Sequence, residues 1–131
     1  MTIYLDNAAS SCPKPPGVVE AVDKCLREYC ANPGRGAHRT AVEAARIIHQ
    51  TRQKAAAFLG VSDSANIIFT QNATDSLNLA MHGILESGDH VVTSIVEHNA
   101  VARPLVVLAK RGVEVTYVES DSTGLVDPDD V

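Results

Sequence analysis

The sequence predicts an α/β fold with a parallel sheet. In its second half, apolar runs of strand length at residues 67–70, 90–96 and 113–119 alternate with segments whose apolar residues recur at helical spacing. Strands separated by helical segments of roughly ten to fifteen residues form parallel sheets with right-handed crossovers. Two more helical segments come earlier in the chain. We therefore expect a βαβαβ core preceded by two helices.

The first half begins with a short apolar run at residues 3–5 and a turn-rich stretch whose prolines delay the first helix to near Pro16 or Gly17. A glycine-containing loop, NPGRGAH, separates it from a second helix predicted from about Thr40 to Leu59, with Gly60 as its stop. Each helix has residues that share one apolar face: Val18, Val19, Val22, Leu26 and Tyr29 in the first, and Ala44, Ile47, Ile48, Ala55 and Phe58 in the second.

The turn after the strand at 67–70 has the pattern of a phosphate-binding turn at the start of a helix. The strand ends at Gln71-Asn72, Thr74 is placed to cap the next helix, and apolar residues then recur at helical spacing. A helix start presents free N–H groups and the positive end of the helix dipole, which attract a phosphate. Capping alone would also explain Thr74, since threonine starts many helices.

The strand at 90–96 brings His98 to its carboxyl end, where open α/β sheets bind their ligands. We therefore expect Thr74 and His98 to face the same crevice. A helix from about Ala100 to Lys110 and the strand at 113–119 complete the core. An ordinary exposed histidine is the alternative for His98.

Length and composition indicate one domain, with an N-terminal segment at 1–62 and the start of a ligand-binding α/β domain at 63–131. The net charge of -5 and the scattered Lys and Arg residues argue against a nucleic-acid partner. No apolar run approaches the roughly 20 residues that span a bilayer, so we expect a cytoplasmic protein without a membrane association. Cys12, Cys25 and Cys30 form no CxxC pair, which predicts free thiols and no metal site, with the last two at least partly buried.

Four ordered motifs, YLDNAAS, NPGRGAH, FTQNATDSLN and VEHNAVARPL, resemble the N-terminal part of the cysteine desulfurases and selenocysteine lyases. These are pyridoxal-phosphate (PLP) enzymes of the class V aminotransferase group, and the likeness covers essentially the whole chain. It implies the first part of the large domain of the fold type I PLP-dependent transferases. The implied reaction removes sulfur or selenium from cysteine or selenocysteine to give alanine.

The resemblance also implies roles for individual residues. Ala73 and Thr74 would hold the cofactor phosphate, and His98 would stack on the pyridine ring and help move protons. The segment Asn7, Ala8 and Ala9 would lie beside the amino-acid substrate, and Arg35 and His38 would lie near the active site at a dimer interface. For Arg35 a solvated surface position, and for His38 the start of the next helix, are equally compatible with the sequence.

In that family the Schiff-base lysine, the aspartate that pairs with the pyridine nitrogen and the sulfur-accepting cysteine all lie beyond the segment that this chain covers. None of Lys14, Lys24, Lys54 and Lys110 has a suitable context for linking the cofactor. We therefore expect a fragment that is inactive alone and that associates with itself or with a complementary C-terminal chain.

Other functions stay open at this point. The chain could be a non-catalytic module that binds a phosphate-bearing ligand or oligomerises, or a part of another class V aminotransferase. Dinucleotide binding is disfavoured because the turn after Thr70 lacks GxGxxG. The exact substrate and the oligomeric state are not encoded in any motif present.

Overall fold

The computed structural model describes residues 3–131. The helices are α1 (Val18–Glu28), α2 (Arg39–Leu59), α3 (Ala73–Ile84) and α4 (Asn99–Ala109), and the strands are β1 (His90–Ser94) and β2 (Glu114–Val118). Short 3₁₀ turns occur at Ser64–Asn66 and Pro128–Asp130. The chain divides into two compact units, residues 1–68 and 69–131, which are described separately below.

In the first unit, both predicted helices form close to their expected bounds. Gly17, in the left-handed conformation, precedes α1, and Gly60 ends α2 as predicted. The end of α2 is a Schellman motif: the N–H of Val61 bonds to the carbonyl of Ala56, and the N–H of Gly60 to that of Ala57. Glycine is needed there because Gly60 has φ +69°.

The apolar faces of the two helices are largely exposed. No residue of α1 is buried, and Leu26 is 68% exposed. In α2 the buried residues are the alanines Ala41, Ala44 and Ala56, whereas Phe58 is 89% exposed. Helical periodicity identifies which side of a helix is apolar, but burial also needs a surface to pack against. Cys25 and Cys30, expected to be at least partly buried, are exposed with Cys12.

The second unit is built on two parallel strands. β1 pairs with β2 from His90 opposite Glu114 to Ser94 opposite Val118. The core under the sheet consists of Leu105, Leu108 and Val113, with Met81, Leu85, Val91, Val101 and Val115 packed against it. Helices α3 and α4 pack on one another, so both helix starts belong to the same compact unit.

One predicted strand is absent. Residues 67–70 have no strand assignment, and within residues 3–131 the sheet consists of β1 and β2. Ile67 is extended, with φ −89° and ψ 116°, and Ile68 is 70% exposed. Residue preferences can favour extended backbone, but a strand also requires a hydrogen-bonded neighbour. The described part of the core is therefore αβαβ rather than βαβαβ, within the predicted α/β class.

A second Schellman motif joins α4 to β2. The N–H of Val113 bonds to the carbonyl of Leu108, and the N–H of Gly112 to that of Ala109. Gly112 has φ +96°, and the two residues that the motif brings together, Leu108 and Val113, belong to the buried core. This single turn therefore fixes both the helix end and the packing of the following strand.

The turn after β2 is closed by the carboxylate of Asp121. Its Oδ1 accepts hydrogen bonds from the Thr123 hydroxyl at 2.7 Å, the Leu125 N–H at 2.9 Å and the Thr123 N–H at 2.8 Å. These bonds, with the Thr123 hydroxyl contributing most, hold the pKa of Asp121 below its ordinary value of 3.8.

We expect this turn to keep its order down to acid pH and to lose it as the pH falls through the lowered pKa of Asp121, below 3.8. A carboxyl group whose pKa is lowered by folding stabilises the folded form above its unfolded pKa, and protonation removes that contribution. Carboxyl-carbon NMR titration of Asp121 measures the midpoint. Thr123→Val should raise it, and a wild-type midpoint at or above 3.8 would contradict the hydrogen-bonded turn.

Candidate functional site

The start of α3 is capped by Asn72, which corrects the expected cap at Thr74. Asn72 is extended, with φ −164° and ψ 173°, and its Oδ1 accepts the N–H of Asp75 at 2.9 Å. Its carbonyl accepts the N–H of Ser76 at 3.1 Å. Asparagine caps helices at least as well as threonine, so the residue directly before the helix takes that role. The hydroxyl of Thr74, in the first turn, is not used for capping.

Two backbone donors remain at this helix start. The N–H groups of Ala73 and Thr74 have no hydrogen-bond acceptor among residues 3–131, whereas those of Asp75 and Ser76 both bond to Asn72. Unpaired N–H groups at a positive helix end form a site for an anion. The helix start therefore provides two backbone N–H donors for a phosphate-binding site.

Thr74 and His98 lie on one cavity of about 430 Å³ within the second unit. That volume lies in the range of small-molecule sites. The lining has no acidic side chain and includes one guanidinium group, from Arg103, so its charge favours an anion. The lining residues are Thr74, Asn78, His82, His98, Asn99, Ala100, Arg103, Pro104 and Val107.

His98 forms the N-cap of α4 as well as part of this cavity. Its Nδ1 accepts the N–H of Ala100 at 3.0 Å. Because Nδ1 is an acceptor, the hydrogen-bond geometry assigns the proton of the neutral ring to Nε2. The ring is thus held by the backbone while it lines the cavity, and the capping and binding interpretations of His98 are compatible.

Asn7, Ala8 and Ala9, the candidates for the substrate side, form a tight turn in the first unit. The N–H of Ala9 bonds to the carbonyl of Asp6 at 3.2 Å, and the Oδ1 of Asn7 accepts the N–H of Cys12 at 3.2 Å. The turn is exposed and is held by its own hydrogen bonds.

The glycine-rich loop candidates also lie in the first unit. Arg35 is exposed, and His38 is the N-cap of α2, with its Nδ1 2.7 Å from the Thr40 hydroxyl and 3.4 Å from the N–H of Ala41. A Cβ at Gly36 would lie 2.8 Å from Cδ2 of the His38 ring, so a side chain there would displace that ring. Because His38 is the N-cap of α2, it begins the helix, and this is the alternative to an active-site role that the sequence left open.

Ala73, Thr74 and His98 thus share the second unit, and the other five candidates share the first. The sequence interpretation missed Asn72, Asn78 and Arg103. An N-x-x-D pattern could have identified Asn72 as the cap, because asparagine is a preferred N-cap residue and an acidic residue is favourable in the first turn, where Asp75 lies. Only the packing of α3 on α4 shows that Asn78 and Arg103 reach the cavity.

Lys110 gives no candidate for a covalent link to a ligand bound beside His98. Lys110 is the only lysine in the second unit, and it ends α4 at the opposite end from His98. A helix of 11 residues is about 16 Å long, which exceeds the reach of a lysine side chain.

In residues 3–131 no helix is both long and apolar enough to cross a membrane.

Comparison with known proteins gives a consistent match over the chain. The family model for class V aminotransferases matches residues 3–131. A probable cysteine desulfurase from Methanothermobacter thermautotrophicus is 40% identical over 127 residues, which are 96% of this chain and 31% of the relative. The chain therefore spans about a third of the length of the curated relatives that it matches.

Solved structures likewise cover most of this chain but only about a third of their own length. The apo structure of a cysteine desulfurase from Thermococcus onnurineus superposes with a TM-score of 0.82 at 37% identity, covering 98% of this chain and 32% of that one. A structure described as SspA in complex with cysteine gives a TM-score of 0.74 at 37% identity, covering 88% of this chain and 34% of the other.

Proposed function

Because the chain belongs to the class V aminotransferase family, we propose that it forms the N-terminal part of a PLP-dependent cysteine desulfurase. The whole enzyme would remove sulfur from cysteine, or selenium from selenocysteine, to leave alanine. The observation that carries the proposal is the cavity shared by Thr74 and His98 next to two unpaired helix N–H groups. Similarity to proteins named cysteine desulfurase supports the substrate class.

The family depends on PLP, and the residues of the second unit fit that cofactor. The N–H groups of Ala73 and Thr74, with the Thr74 hydroxyl, would bind the phosphate, and Arg103 adds positive charge to the same cavity. The ring of His98 would lie against the pyridine. When bound, the cofactor draws electrons from the substrate Cα.

His98 would act as a catalytic residue through its free ring nitrogen. With Nδ1 fixed on the N–H of Ala100, Nε2 is the atom available to hold or release a proton. The backbone bond also keeps the ring from rotating away from the cavity. The same cap that starts α4 would therefore orient the proton-transfer group.

The five candidates of the first unit complete the proposal. Asn7, Ala8 and Ala9 would lie beside the amino-acid substrate, and Arg35 and His38 would belong to a dimer interface near the active site. Their exposure and the polar groups of Arg35 and His38 support these roles. The structure described as SspA in complex with cysteine supports an amino-acid substrate for this family fold.

We also propose that residues 1–131 serve as part of one larger cytoplasmic domain and are inactive alone. The position of Lys110 supports inactivity, since this lysine of the second unit lies at the opposite end of α4 from His98. The exposed apolar residues of α1, Val18, Val19, Val22 and Leu26, support association with a second copy or with a complementary C-terminal chain.

A chimera tests the proposed function. Residues 3–131 would replace the matching segment of the Methanothermobacter relative, and alanine and sulfide released from cysteine would be measured. We expect turnover by the chimera, none by the 131-residue chain, and a loss of about a hundredfold or more in kcat with His98→Asn. Asparagine keeps the helix cap but removes the ring.

Turnover by the isolated chain would contradict the proposal, as would a His98→Asn chimera with unchanged kcat. A chimera that binds PLP but leaves cysteine unchanged would favour a different class V reaction or a non-catalytic binding module.

A further inference from the structure

The peptide group between Thr74 and Asp75 is held at both ends by asparagine side chains. Its N–H donates to Oδ1 of Asn72 at 2.9 Å, and its carbonyl, from Thr74, accepts a hydrogen bond from Nδ2 of Asn78 at 2.9 Å. Asn78 is half-buried. The peptide immediately after the two unpaired N–H groups therefore cannot rotate without breaking a side-chain bond.

The peptide that carries the Ala73 N–H is fixed as well. The carbonyl of Asn72 accepts hydrogen bonds from the Thr70 hydroxyl at 3.0 Å, the Ser76 hydroxyl at 3.3 Å and the Ser76 N–H at 3.1 Å. The Thr70 and Ser76 hydroxyls also contact each other. Ala73 and Thr74 thus present their N–H groups from a short segment that is anchored on both sides.

Asn78 occupies a particular place in this arrangement. It lines the cavity that contains His98, and it also lines a second cavity of about 550 Å³ formed with Gln71, Asn72, Thr74 and Asp75. Asn78 therefore lines both of the cavities that Thr74 lines. A rigid donor pair binds an anion better than a mobile one because less order is lost on binding.

We propose that Asn78 is a positioning residue of the phosphate site: its side-chain bond to the Thr74 carbonyl aims the N–H groups of Ala73 and Thr74 at the phosphate. This inference rests on the proposed function. Asn78 acts through the backbone of Thr74 and does not itself need to touch the ligand.

A hydroxyl four residues along a helix can make the same bond as the Asn78 amide. Thr51 shows this in α2, where its hydroxyl donates to the carbonyl of Ile47 at 2.8 Å. Serine at position 78 should therefore restore the bond that alanine removes. Thr51→Ala removes a comparable bond outside the second unit and serves as the matched control.

The test compares binding of pyridoxine 5′-phosphate with binding of pyridoxine by the 131-residue chain. The probes differ only in the phosphate, and neither has the aldehyde that would react with lysines. The ratio of their Kd values isolates the phosphate contribution. We expect Asn78→Ala to reduce the preference for the phosphate form about three- to tenfold, Asn78→Ser to restore most of it, and Thr51→Ala to leave it unchanged.

A purely structural role for Asn78 would weaken both probes alike and leave the ratio unchanged. A wild-type preference for the phosphate form that survives Asn78→Ala overturns the inference alone. A wild-type chain that does not distinguish the two probes overturns the phosphate site itself, and the inference with it. Far-UV circular dichroism of each variant verifies that the helices are retained.

Discussion

Replacing Ala73 with proline should weaken the binding of pyridoxine 5′-phosphate by about ten- to a hundredfold, because a hydrogen bond to a charged group contributes about 1.5 to 3 kcal/mol. Proline deletes one of the two unpaired N–H groups. The helix itself should persist, since proline suits the first helical position and the N–H of Ala73 makes no bond within the helix. Asn72 already has an extended conformation that a following proline accepts. Isothermal titration with the two probes measures the effect.

The matched control places proline at the first position of α2. Arg39→Pro follows His38, which is also extended, with φ −74° and ψ 154°. It should leave binding of pyridoxine 5′-phosphate unchanged. Equal binding by Ala73→Pro and the wild-type chain, with helix content retained in both, would contradict a phosphate site at α3.

Replacing Gly112 with alanine should destabilise the second unit by about 2 to 4 kcal/mol, the sum of a strained backbone and a displaced side chain. Gly112 has φ +96°, which side-chain-bearing residues rarely adopt, and a Cβ there would lie 2.3 Å from Oγ of Ser87. The substitution disrupts the Schellman motif that holds Leu108 against Val113. Chemical denaturation followed by NMR signals of the second unit measures the loss.

Gly88 provides a control with almost the same backbone. It has φ +97°, but a Cβ there would meet no atom within 4 Å. Gly88→Ala should therefore cost about 1 kcal/mol less than Gly112→Ala, and adding Ser87→Ala to the Gly112 variant should recover about that difference. An equal loss of unfolding free energy in the two glycine variants would contradict this prediction, because it would show that the Ser87 side chain moves aside without cost.

The sequence was sufficient to predict the elements whose signals are local. The apolar spacing and Gly60 place α2 within a residue of its observed bounds, and the run at 90–96 contains β1. The start of α3 and the position of His98 after β1 also followed from adjacent residues. These features depend on the periodicity and turn chemistry of the segment itself.

Features that need a distant surface could not be predicted. The residues at 67–70 favour extended backbone, yet a strand would need a neighbour to pair with. The apolar face of α1 was identified correctly, but its exposure depends on what else is present to pack on it. Asn78 contributes through the bond to Thr74 and the packing of α3 on α4, which no local pattern encodes.

The most direct test of the account is an NMR titration of the 131-residue chain with pyridoxine 5′-phosphate, following assigned backbone amides and histidine ring signals. We predict the largest shifts at the N–H groups of Ala73 and Thr74 and at the ring of His98, with pyridoxine producing no comparable shift at the two amides. Shifts confined to other residues, or shifts at Ala73 and Thr74 that do not depend on the phosphate, would contradict it.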